Sequence, residues 1–152
     1  LPGLVNAHCH LDYTGMAGEF PPPQDFTDWI KLITTAKAAW TYSDFAESWL
    51  RGAKMLVQTG TTTVADIEAV PELLPEIWEA TPLRVFSFLE MTGIKSRRDP
   101  RVIVQEITGK IESLRSDRCR TWPRTSEFFP VFVDTSFPNS LHCAVRLTKG
   151  IR

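Results

Sequence analysis

From Leu4 to Leu114 the hydrophobic pattern switches repeatedly between short apolar or β-branched runs and helical stripes. This alternation confines the chain to an α/β fold. Leu4 to Leu11 reads as a short buried strand preceded by Pro2 and Gly3. After a loop containing Pro21 to Pro23, Phe26, Trp29, Ile30 and Ile33 recur at helical spacing. A second helix is better marked. Thr41 and Asp44 fit a capping box, Phe45, Trp49, Ala53, Leu56 and Val57 form its stripe, and Gly60 stands where the helix should stop. Thr61 to Ile67 is β-branched and predicts a strand. Pro71 to Ala80 predicts a short helix with Leu73, Leu74, Ile77 and Trp78 on its apolar side. Arg84 to Glu90 predicts a third strand, and Pro100 to Leu114 a helix carrying Val102, Ile103, Ile107, Ile111 and Leu114. The order β-αα-β-α-β-α implies parallel strands joined by helical crossovers.

Beyond Leu114 the pattern weakens. Arg115 to Thr125 has no period, Phe128 to Val133 fits a fourth strand, and Leu141, Ala144, Val145 and Thr148 fit the start of a helix. Two regions are therefore expected: 1–114 as the ordered α/β part and 115–152 as a divergent or frameshifted continuation. The 152 residues suffice for one domain with a hydrophobic core.

Composition excludes several classes of function. A net charge of −1 gives no electrostatic reason to expect nucleic acid or an anionic membrane as partner. The late basic residues Arg115, Arg118, Arg120 and Arg124 carry no nucleic-acid motif and read as a solvated stretch. Three widely spaced cysteines, Cys9, Cys119 and Cys143, form no metal-binding CxxC pair and no disulfide framework. They favour a reducing, cytoplasmic setting. No apolar run approaches the ~20 residues of a membrane-spanning helix, and there is no signal-peptide pattern. The opening on Leu1-Pro2-Gly3, straight into a strand and without Met, is expected of a segment cut from a longer chain.

The residues that carry chemistry are His8-Cys9-His10. Side chains alternate along a strand, so His8 and His10 share one face and Cys9 takes the other. Two imidazoles about 7 Å apart along a strand can ligate one divalent ion from neighbouring positions, and imidazole suits Zn, Fe, Ni or Co. Two strand histidines are also compatible with a purely structural role. Position favours ligation, because the pair stands at the C-terminal end of the first strand of a βα series, where barrel active sites are built.

The string Leu1-Pro2-Gly3-Leu4-Val5-Asn6-Ala7-His8-Cys9-His10-Leu11-Asp12 resembles the strand-one signature of the metal-dependent amidohydrolase superfamily. The resemblance continues in Phe26-Thr27-Asp28-Trp29-Ile30 and in Gly60-Thr61-Thr62-Thr63-Val64-Ala65-Asp66. Phe88-Leu89-Glu90-Met91-Thr92-Gly93 is similar to strand three of the aminofutalosine and adenosine-type deaminases. It implies the first half of a (β/α)8 TIM-like barrel, strands one to about four and incomplete, since a whole barrel needs ~250 residues. It also implies a divalent metal, Zn or alternatively Fe, with His8 and His10 among its ligands. The implied reaction is hydrolytic attack on an sp² ring carbon of a small-molecule, nucleoside- or base-like substrate, with ammonia leaving. The remaining ligands and the proton-transfer Glu of the family come from strands five, six and eight, so the chain alone is expected to be inactive and its catalytic residues stay unassigned. Open barrel edges would favour self-association.

The tail departs from the family pattern. Phe129 to Pro138 keeps the two outer prolines of a deaminase stretch but has Val131 where a substrate-contacting His is expected. Asp12 and Glu90 are candidate substrate-binding residues. Asp66 and Glu90 both end strands and could face a pocket, or else serve the following helices. His142 reads as a packing residue, Trp29, Trp40, Trp49 and Trp78 as helical core, and Cys9 as a small buried apolar group. Two rival readings remain open: a non-catalytic α/β domain, and a half barrel completed by another chain.

Overall fold

In the computed structural model, residues 1–92, 99–116, 127–133 and 143–144 are described. The elements run β1 (Leu4–Cys9), α1 (Phe26–Ala38), α2 (Tyr42–Gln58), β2 (Thr61–Glu68), α3 (Leu74–Glu79), β3 (Arg84–Thr92), α4 (Pro100–Ser116), β4 (Glu127–Val133) and β5 (Cys143–Ala144). Short 3-10 turns occupy Leu11–Met16 and Pro71–Leu73. The strands lie in the order β1-β2-β3-β4-β5. The β1–β2, β2–β3 and β3–β4 pairs are parallel, each reached through intervening helix, as the alternation predicts.

Local chemistry accounts for the helix ends. Asp25 caps α1 by accepting the Asp28 N–H at 2.8 Å. At α2 the capping box forms as expected: the Asp44 carboxylate accepts the Thr41 N–H at 2.7 Å, and the Thr41 hydroxyl accepts the Asp44 N–H. Gly60 follows α2 with φ of +87°, the left-handed conformation that ends a helix at low cost only for glycine.

Register sorts the sheet into two faces. Val64 pairs with Val85, Asp66 with Ser87 and Glu68 with Leu89, and all six are buried. Val64 and Val85 join the core with Trp49 and Ala53 of α2 and with Ile77 and Trp78 of α3. This is the helix-covered face. Trp49 is wholly buried and centres the cluster. Trp29 and Trp40 are only half-buried, and Trp40 lies between α1 and α2 rather than on a helical stripe.

Two expectations change. The first strand forms but is not buried: Leu4 and Val5 are 62% and 68% exposed. The reason is its place at the sheet edge, where β2 supplies its one neighbour among the described strands. At the other end, Cys143 and Ala144 form a two-residue strand antiparallel to β4 instead of a helix. The free edge of β4 offers unpaired backbone groups that an adjacent segment can take up in either direction. The architecture is thus α/β with parallel strands at its heart. Leu141, His142, Val145 and Thr148 of the expected helix, along with Arg118, Arg120, Arg124 and Cys119, lie outside the described residues.

Candidate metal centre

Cys9 ends β1. It pairs with Asp66 in register, and its Sγ lies 3.8 Å from Asp66 Oδ1 on the helix-covered side. His8 and His10 flank it, His8 within β1 and His10 just past the strand end. Their rings meet edge-on, with centroids 5.5 Å apart. His8 is exposed and His10 half-buried. Burial first, then the nearby His8 and Lys37 charges, lower the His10 pKa from 6.5 to about 4. His10 is accordingly neutral near pH 7, the form that ligates a metal.

The other candidates separate by face. Glu90 alternates with the helix-facing Leu89 and so lies on the histidine face, half-buried. Burial raises its carboxyl above the usual range, the Lys37 charge opposes this, and Asp12 adds to it. Asp66 does not face that side. It is wholly buried under α2 and accepts hydrogen bonds from the Leu11 N–H at 2.9 Å and the Trp49 indole N–H at 2.7 Å. Its work is to hold the backbone immediately after His10. Val131 lies opposite Glu90 in the β3–β4 register.

Asp12 is buried rather than a loop carboxylate, and its Oδ2 is taken by the Lys37 ammonium of α1. Its Oδ1 has no hydrogen-bond partner among the described residues. The turn around it is tied down twice more, by the Ser48 hydroxyl donating to the Asp12 carbonyl at 2.7 Å and by the Gly15 N–H donating to Ser48 Oγ at 2.6 Å. Gly52 of α2 sits so close that a Cβ there would meet Thr14 Oγ1 at 2.4 Å. Sequence reasoning missed Lys37 and Tyr13, whose ring stacks on His10 with centroids 4.4 Å apart.

The buried acids make stability depend on pH. Glu68 Oε1 accepts the Val70 N–H at 2.7 Å, while Oε2 has no partner among the described residues. Burial, then Asp12 and Asp66, hold its carboxyl well above the usual range. Asp66 is pushed up to about 7, chiefly by burial. An acid whose pKa is raised on folding stabilises fully below its unfolded value, and that contribution is lost as pH rises through the folded value. His10 has the opposite sign, its contribution being lost as pH falls from 6.5 toward 4. Above pH 6.5 only the acids matter, so the melting temperature is expected to fall between pH 6.5 and 8. Glu68→Gln should flatten that fall; parallel melting curves for the two proteins at both pH values would refute it.

The donor set fits two positions of a zinc-type ion. A closed structural site uses four donors, and among the described residues no group of three His, Cys, Asp or Glu side chains gathers to hold one.

No protein-family model matches the chain. A 5-methylthioadenosine/S-adenosylhomocysteine deaminase of Halobacterium salinarum is 34% identical over 82 residues, covering 53% of this chain and 19% of that protein. Among solved structures, Helicobacter pylori aminofutalosine deaminase in complex with methylthio-coformycin matches 87% of this chain with a TM-score of 0.63 and 17% identity. The likeness is one of fold. Atrazine chlorohydrolase of Arthrobacter aurescens, complexed with zinc, gives a TM-score of 0.64 at 18% identity over 84% of the chain. An adenosine deaminase of Xanthomonas campestris with bound zinc gives 0.62 at 19% over 86%. This chain spans 30%, 33% and 29% of those three structures in turn. The resemblance to amidohydrolases read from the strand-one motif stands. No helix among the described residues is long and apolar enough to cross a membrane.

Proposed function

We propose that the chain is the metal-binding N-terminal part of an amidohydrolase-type deaminase, four strands of a (β/α)8 barrel, acting on a nucleoside- or base-like heterocycle. The observation that carries this reading is the His8–His10 pair: two imidazoles at the end of β1, in contact with each other, with His10 neutral near pH 7. The zinc bound in two of the similar structures supports Zn as the ion, with Fe as the alternative. Such an ion polarises substrate and brings the pKa of its water toward neutrality. His8 and His10 would hold it from one side. Glu90, on the same face and half-buried, would meet polar atoms of the heterocycle, while Asp12, buried and paired with Lys37, would order the turn behind the histidines. The exposed β1 edge would pair with further strands, from more of the same protein or from a second copy.

The test is zinc binding. The chain should bind Zn weakly, at one ion per chain, and lose it on dialysis against a chelator, because two donors are half a stable set. His8→Ala combined with His10→Ala should abolish the binding measured by titration calorimetry. Binding that is unchanged in the double variant would sink the assignment.

A further inference from the structure

We infer that Tyr13 is a positioning residue that sets the plane of the His10 imidazole, and that Lys37, anchored by Asp12, holds Tyr13 in place. This rests on the reading of His8 and His10 as metal ligands.

His10 lies just beyond β1, so no strand pairing at its own position holds it. It begins the 3-10 turn Leu11–Met16, and the Tyr13 N–H donates to the His10 carbonyl at 3.1 Å. In a 3-10 turn residues i and i+3 eclipse, which lays the Tyr13 ring over His10. The planes differ by 12°, a parallel stack. A stack restrains the tilt of the imidazole plane, and with it the plane in which the lone pair points. A ligand pre-aimed in this way binds its ion more tightly.

Tyr13 is itself held on several sides. Lys37 Nζ stands 4.6 Å from its ring centroid, within cation–π range. Trp29 meets it edge-on at 6.0 Å. The Lys37 ammonium is in turn paired with the buried Asp12 carboxylate. Helix α1 thereby reaches the histidine pair although none of its residues touches His8 or His10 through a hydrogen bond given by the structure. Among the described residues, His8, exposed and in edge contact with His10, has no comparable platform.

The experiment compares the unsubstituted chain with Tyr13→Phe and Tyr13→Leu, the first keeping a ring and the second keeping apolar bulk only. In the metal-free chain, NMR should show ring-to-ring cross-relaxation between His10 and Tyr13 and an upfield shift of the His10 ring protons. Phe should retain the shift and Leu lose it. Zinc affinity should stay near the original value for Phe and weaken about tenfold for Leu, at unchanged circular dichroism. Equal zinc affinity in the Leu and Phe variants would overturn the inference and leave the ligand reading intact. If Leu fails to fold, absence of ring-to-ring cross-relaxation in the unsubstituted chain would overturn it instead. An unsubstituted chain that binds no zinc at all would overturn the ligand reading, and the positioning role with it, even where the stack is seen.

Discussion

Replacing Asp66 by alanine is expected to cost the fold about 2–6 kcal/mol, from two buried donors left without partners at about 1–3 kcal/mol each. Its carboxylate accepts from Leu11 and from the Trp49 indole, and both donors lie where water cannot reach them. A domain of this size is stable by only about 5–15 kcal/mol, so the loss is a large fraction of the whole. Asp66→Asn should cost less, since an amide oxygen still accepts one of the two bonds while its nitrogen confronts the other donor. Urea denaturation of the three proteins measures this. A loss under about 1 kcal/mol for the alanine variant would mean that Leu11 and Trp49 find other acceptors and that the turn after His10 is not tied through Asp66.

Supplied with zinc, the chain by itself is expected to release ammonia from adenosine-, guanine- and cytosine-type substrates no faster than background. Hydrolytic deamination needs the ion, a proton shuttle and a shaped pocket in one geometry. The described residues bring two imidazoles together and no third ligand. Proton transfer alone is typically worth ~10²–10⁴-fold, and an incompletely held ion forfeits several kcal/mol more. Co-expression with the C-terminal portion of a zinc-binding relative should restore turnover if the barrel reassembles. Ammonia release by the isolated chain that disappears with His8→Ala and His10→Ala would show that the site is complete without it.

The parts of this molecule legible in the sequence are those governed by short-range rules. The capping box at Thr41 and Asp44, the stripe through Trp49 and Ala53 and the stop at Gly60 follow from contacts a few residues apart, and all appear in place. The closeness of the two histidine rings was only partly legible, since alternation along β1 ends at Cys9 and His10 belongs to the turn that follows. The exposure of β1 was not, because burial depends on which strand lies beyond the edge. The opposite facing of Asp66 and Glu90 was equally hidden: both end strands, and only the β2–β3 register tells them apart. Lys37 reads as a surface cation on an amphipathic helix until the fold carries it across 25 residues of sequence to Asp12. Tyr13 escaped because a single 3-10 turn has no periodic signature.

The tight seat of Gly52 against Thr14 and Leu11 gives α2 the character of a gauge block beneath the histidine turn. Any side chain added there must lift the turn, move the helix or push Thr14 aside, and each displacement passes to His10 through the backbone. Position 52 touches neither imidazole, yet it offers an engineer a means of shifting ligand spacing by fractions of an ångström while leaving the donor chemistry untouched. Alanine at 52 is the smallest available step, and larger residues there would trade ligand alignment against the packing of Leu11.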